Sequence, residues 1–264
     1  MRAATRITGC SINTVTKLLC DVGAACTEFS DKALRNLPSK RVQCDEIWAF
    51  VGAKQKNVPA DRRLSFGIGD VWTYTALDAD SKLMCAWAVG RREFISDLAE
   101  RLANRVQLTT DGHKPYLNAV ENAFGGDIDF AQLVKIYGNS SEGTRRYSPS
   151  EVINTEIRVI NGKPDKAHVS TSYVERCNIT MRMGMRRFTR LTNAFSTKVE
   201  NHAFAIALHF THYNFCRIHK TLRVTPAMQA GLTDHVWSLE EIAALVPAPE
   251  SKPRGPYKKK DNSN

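Results

Sequence analysis

No uninterrupted apolar stretch in this 264-residue chain approaches the roughly 20 residues that a bilayer-crossing helix requires, so a membrane span is excluded. The first thirty residues are polar and threonine-rich and contain no apolar signal-peptide segment. The seven cysteines (10, 20, 26, 44, 85, 177 and 216) are odd in number and irregularly spaced, and none forms a C-x-x-C pair. That pattern argues against a disulfide scaffold and against a cysteine zinc ribbon, and it reads as scattered reduced thiols in a cytoplasmic protein. No internal repeat is visible. Acidic residues are the scarcer sign of charge: 27 Asp and Glu stand against 37 Lys and Arg, a formal net charge of +10. With 42% hydrophobic and 8% aromatic residues the composition is that of a folded chain. An excess of this size points to a polyanionic partner.

The excess is concentrated. Between Arg176 and Arg223 there are nine Lys or Arg and a single acid, Glu200, and the lysine-rich end from Ala248 adds five bases against two acids. The rest of the chain is close to neutral.

Residues 3–19 (AATRITGCSINTVTKLL) place two helical stretches around Gly9, with Ser11 set to cap the second. This is the rhythm of the last two helices of a helix-turn-helix, the second presenting Asn13, Thr14 and Lys17; an ordinary helical hairpin has the same pattern. Three strand-like runs follow, at 42–51, 71–77 and 83–89, the last two joined by Asp78-Ala79-Asp80-Ser81. A helix over 92–102, a short strand over 106–110 and a helix over 113–124 come next. The order predicts an α/β chain with a mixed sheet covered by helices. The Gly-, Ser- and Asn-rich stretch 125–164 predicts long loops, 172–190 and 197–215 predict long helices, and the Pro- and Lys-rich end predicts a disordered tail.

Three carboxylates stand where solvation does not explain them. Asp45 lies within an apolar strand, with Glu46 as a solvated neighbour. Asp111 ends a strand directly before Gly112, the usual address of a ligand site in an open sheet. Glu175 begins a helix otherwise filled with Met and Arg. The topology makes the first and fourth strands neighbours, and a helix crossing that edge brings Glu175 to the same point. Such carboxylates repel one another without a cation, and hard divalent ions such as Mg²⁺ suit them and phosphate oxygens. Each also has a plain structural reading: a strand-edge aspartate, a helix-capping aspartate, and the glutamate of the S-x-x-E capping box beginning at Ser172. On a continuous helix, Glu175, Arg182 and Arg186 fall within about 20° of one line, with Arg190 close by. His209, His212, Cys216 and His219 have a helical spacing compatible with zinc but read better as a packed helix.

Asp45-Glu46-Ile47-Trp48, Thr110-Asp111-Gly112, the block from Thr171 through Arg176, Met181-Arg182-Met183 and 186–195, and Tyr213-Asn214-x-x-Arg217-x-His219 resemble the DDE transposases of the InsAB insertion-sequence type. The resemblance covers about 40–226. It implies an RNase H-like fold and a DDE triad of Asp45, Asp111 and Glu175 holding two Mg²⁺ ions, which Mn²⁺ can replace. It also implies cleavage at element ends and strand transfer into double-stranded DNA, by a multimer at the nucleoid. Arg182 matches the basic position near the DNA end, and Arg186, Arg187 and Arg190 follow as DNA contacts. Members of that family usually carry a cysteine-containing zinc module and a complete helix-turn-helix upstream, whereas this chain has no C-x-x-C and only a partial helix-turn-helix. The expected division is a helix-turn-helix segment (1–38), a catalytic domain (39–226), a helical segment (227–247) and a basic tail (248–264). A structure-specific nuclease of the same fold and a non-catalytic DNA-binding protein are the alternatives.

Overall fold

The computed structural model describes residues 1–90, 93–138, 152–189 and 194–248. Its centre is a six-stranded mixed sheet. Three strands, β1 (Arg41–Val51), β2 (Gly69–Asp78) and β3 (Met84–Val89), run as an antiparallel meander. Asp78 shapes the β2–β3 turn, its Oδ1 accepting from the backbone N–H groups of Asp80 (2.7 Å) and Ser81 (3.2 Å). Strands β4 (Gln107–Asp111) and β5 (Asp129–Tyr137) follow in parallel on the other side of β1, and β6 (Val152–Asn161) returns antiparallel beside β5. The order across the sheet is β3-β2-β1-β4-β5-β6.

Helices cover both faces. Alternate residues of β1 divide between two cores, as strand geometry requires. Val42 and Cys44 pack with α3 (Phe94–Arg101) and α4 (Pro115–Phe124) through Ile95, Leu98, Tyr116 and Val120. Ile47, Ala49 and Val51 pack on the opposite face with Val174, Cys177 and Met181 of α5 (Ser172–Gly184) and with Ile206 and Phe210 of α6 (Val199–Thr211). The chain continues from α6 through a π-helical turn, His212–Cys216, and closes with α7 (Pro226–Gln229) and α8 (Leu239–Ala244).

The N-terminal helices are α1 (Arg2–Thr8) and α2 (Ile12–Ala33). Gly9, left-handed at φ 72°, ends the first, and Ser11 Oγ caps the second by accepting from Thr14 N at 3.1 Å. The second helix runs to residue 33, well past the two turns that its opening pattern suggested, and its later half belongs to the body. Val22 and Cys26 pack against Ala207 and Ile242. At Gly23 a Cβ atom would lie 2.3 Å from that of Phe204, so only glycine lets α2 approach α6 this closely.

Two other expectations change. The helix expected over 172–190 ends at Gly184, because Met185 turns extended (φ −125°) and Arg186–Phe188 forms a separate 3₁₀ turn. That turn carries Phe188 into the core. The stretch expected as long loops holds β5 and β6. The basic tail beyond Ala248 lies outside the described residues.

Candidate active site at the β1–β4 edge

Strands β1 and β4 pair in parallel with Arg41 opposite Gln107 and Gln43 opposite Thr109. Carried two residues further, that register sets Asp45 beside Asp111 on one face of the sheet. The carboxylates of Asp45, Glu46 and Asp111 each offer an oxygen, and the three lie within 4.8 Å of one another. Among the described residues this is the one group of acids, histidines or cysteines so gathered; His209, His212, Cys216 and His219 do not converge.

Helix α5 crosses the same edge. Its start is fixed by a side chain from the strand: Gln43 Oε1, buried in β1, accepts from the backbone N–H groups of Tyr173 (3.0 Å) and Val174 (3.1 Å). Two of the N–H groups that a helix start leaves unpaired are thus satisfied from the sheet. One turn on, Asn178 Nδ2 donates to Asp45 Oδ2 at 2.8 Å, and Asn178 Oδ1 accepts from Thr75 on β2 (3.3 Å). Residues 43 and 45 of one strand therefore both grip α5, and Glu175 stands between those two attachments.

Glu175 stays outside the tight cluster. Its Oε1 is ion-paired with Lys135 Nζ of β5 and accepts from Thr171 Oγ1 at 2.5 Å. It does not make the capping box that its S-x-x-E setting allows, since Gln43 supplies the cap. Asp111 Oδ1 accepts from His113 N (3.0 Å), a local turn that fixes the carboxylate just before α4.

The electrostatics follow from burial and crowding. Asp45 is raised to about 6, first by desolvation and then by the negative charges of Asp111 and Glu175, with the Asn178 hydrogen bond opposing. Glu46 is raised to about 7 by desolvation and by Asp111 and Asp45, against the hydrogen bond it accepts from Tyr116 Oη at 3.1 Å. Glu46 is thus no solvated neighbour: β1 turns it toward α4, and it meets the other two carboxylates at the strand edge. The donor set is all oxygen, crowded and short of positive charge, which fits a hard divalent cation.

The basic residues divide. Arg182 lies two turns after Glu175 on α5, half-buried. Arg186 is exposed, but α5 has ended before it, so it does not share the helical line of Glu175 and Arg182. Arg187 points inward, donating from Nη1 to Ser196 Oγ (2.6 Å) and to the carbonyl of Asn201 (3.0 Å). That arginine fastens the chain ahead of α6, so its guanidinium is not presented outward as a DNA contact requires. Arg190 lies outside the described residues. Arg176, Lys198, Arg217, Lys220 and Arg223 are exposed along the same segment. Far from them along the chain, Asn13, Thr14 and Lys17 are exposed on α2, with Lys17 paired to Asp21 at 2.5 Å.

Sequence reasoning passed over Gln43, Glu46, Lys135 and Asn178. Two of them left a trace: Glu46 is a second acid in an apolar strand, and Asn178 recurs one helical turn after Glu175. Gln43 and Lys135 become visible only through the pairing of distant segments. A scan of protein-family models finds none that matches the chain, and a search of curated proteins finds no match either.

Proposed function

We propose that the chain is a DDE transposase of an insertion sequence, an enzyme of RNase H-like fold that cuts DNA at element ends and joins the freed 3′ end to target DNA. The observation that carries this reading is the meeting of Asp45 and Asp111 at one register level of adjacent parallel strands, with Glu175 delivered over that edge by a helix tied to the same strand. Divalent ions, Mg²⁺ or Mn²⁺, would be held by Asp45, Asp111 and Glu175, with Glu46 adjoining, and would activate the attacking oxygen and neutralise charge on the phosphate.

The protein's own groups have separate tasks. Asn178 orients the Asp45 carboxylate through Oδ2, and Tyr116 holds Glu46. Lys135 keeps Glu175 charge-balanced within the site. Arg182, on the same helix, and the exposed bases of the following segment supply phosphate contacts beside the acids. Two copies acting together would process two element ends.

The test is incubation of the purified protein with labelled element-end duplex and Mg²⁺ or Mn²⁺. Strand-joined products are expected, with cleavage and joining both falling by at least about a hundredfold in Glu175→Gln. Cleavage without joining would point instead to a nuclease of the same fold. Full activity in Glu175→Gln would remove Glu175 from the site.

A further inference from the structure

Strand β6 closes one side of the sheet, and among the described residues no strand pairs with its outer edge. It is ten residues long and exposed almost throughout, with Ile153 66% and Ile157 38% accessible. Natural edge strands are usually short, or carry lysine or proline that discourages pairing; β6 has neither residue. Its sequence, Val-Ile-Asn-Thr-Glu-Ile-Arg-Val-Ile-Asn, places Ile153, Thr155, Ile157 and Val159 on one face and a single acid–base couple, Glu156 and Arg158, on the other.

We propose that β6 is the docking strand for a second copy of this chain, paired antiparallel about a two-fold axis through Ile157. The choice of partner and register comes from charge. An antiparallel pairing that keeps the faces aligned must be centred on a residue. Centring on Ile157 sets Glu156 of each copy opposite Arg158 of the other. Moving the centre one residue back sets glutamate against glutamate, and one residue forward sets arginine against arginine. Opposite charges across strands stabilise and like charges destabilise, so one register is selected and its neighbours are disfavoured. Within one chain Arg158 Nη2 already reaches Glu156 Oε2 at 2.7 Å, so the two couples meet as a ring of alternating charge. On the other face, Ile157 meets its own copy and Thr155 meets Val159, pairs of β-branched side chains that suit a sheet surface. The contact is isologous and self-limiting, as a closed dimer requires.

The inference does not rest on the transposase reading, and its test uses no DNA. Sedimentation velocity of the full chain across a concentration series is expected to show a monomer–dimer equilibrium. Glu156→Arg and Arg158→Glu should each weaken the dimer by about tenfold. An equimolar mixture of those two variants should recover it as a heterodimer, because each arginine then faces a glutamate. That recovery also establishes that both variants are folded. A monomeric parent protein overturns the proposal, as do single variants that dimerise normally or a mixture that does not recover.

Discussion

Asp45 and Glu46 hold their protons to about pH 6 and about pH 7, where free carboxyl groups have lost theirs. At these two carboxyls the folded protein binds more protons than the unfolded chain between about pH 4 and pH 7, whereas burial lowers His202 and His209 to about 4, so those two imidazoles bind fewer. The share of stability without added metal that these two carboxyls contribute should therefore fall as pH rises through that window, against the opposite slope that the two histidines contribute. Glu46→Gln removes one source of the fall. Denaturant unfolding should find the variant more stable than the parent at pH 8, by on the order of 2 kcal/mol, with the gap closing toward pH 4. An unchanged difference across that range would show that Glu46 is not the strained group. At this scale the sequence was legible where a residue contradicted its surroundings, as Asp45 did in an apolar strand. It was silent where the role is a long-range contact: nothing local to Gln43 announces a helix cap 130 residues away, and nothing local to Lys135 announces its pairing with Glu175.

Elements were read best where their ends are punctuated. Ser11 marked the start of α2, and the Asp78–Ser81 turn marked the β2–β3 hairpin. The end of α5 was also written, in Gly184, but the arginine periodicity running past it suggested a longer helix. β5 and β6 were obscured by the glycine- and serine-rich stretch between and around them. The two halves of α2 differ in what they bury, and this gives a prediction. Helix α1 contains no buried residue, so removing residues 1–10 should change the thermal midpoint little, equivalent to less than about 0.5 kcal/mol. Gly23→Leu forces a side chain into Phe204 and should cost at least about 2 kcal/mol, read by the same melt. Equal effects from the two changes would refute the contrast between an unburied α1 and a packed later half of α2.

Across the whole molecule, the meander followed by crossovers to parallel strands was predictable because connections are short and crossovers keep one hand. Which strand closes the sheet was not, because β6 has both faces exposed and no core pattern to reveal it. Positive charge is exposed on α5 and on the segment after it, at Arg176, Arg186, Lys198, Arg217, Lys220 and Arg223. Six phosphate contacts would make non-specific duplex affinity drop by about a thousandfold between 50 and 200 mM salt, as measured by fluorescence anisotropy. A flat response would detach this surface from DNA. Finally, the matched register of β1 and β4 gives the acid centre a parity. One residue inserted within β4 would rotate Asp111 to the opposite face, whereas one inserted between β1 and β2 would leave the pairing untouched. A lineage of such chains accumulating insertions and deletions should therefore vary in the length of its connections while those two short strand segments keep an unbroken count.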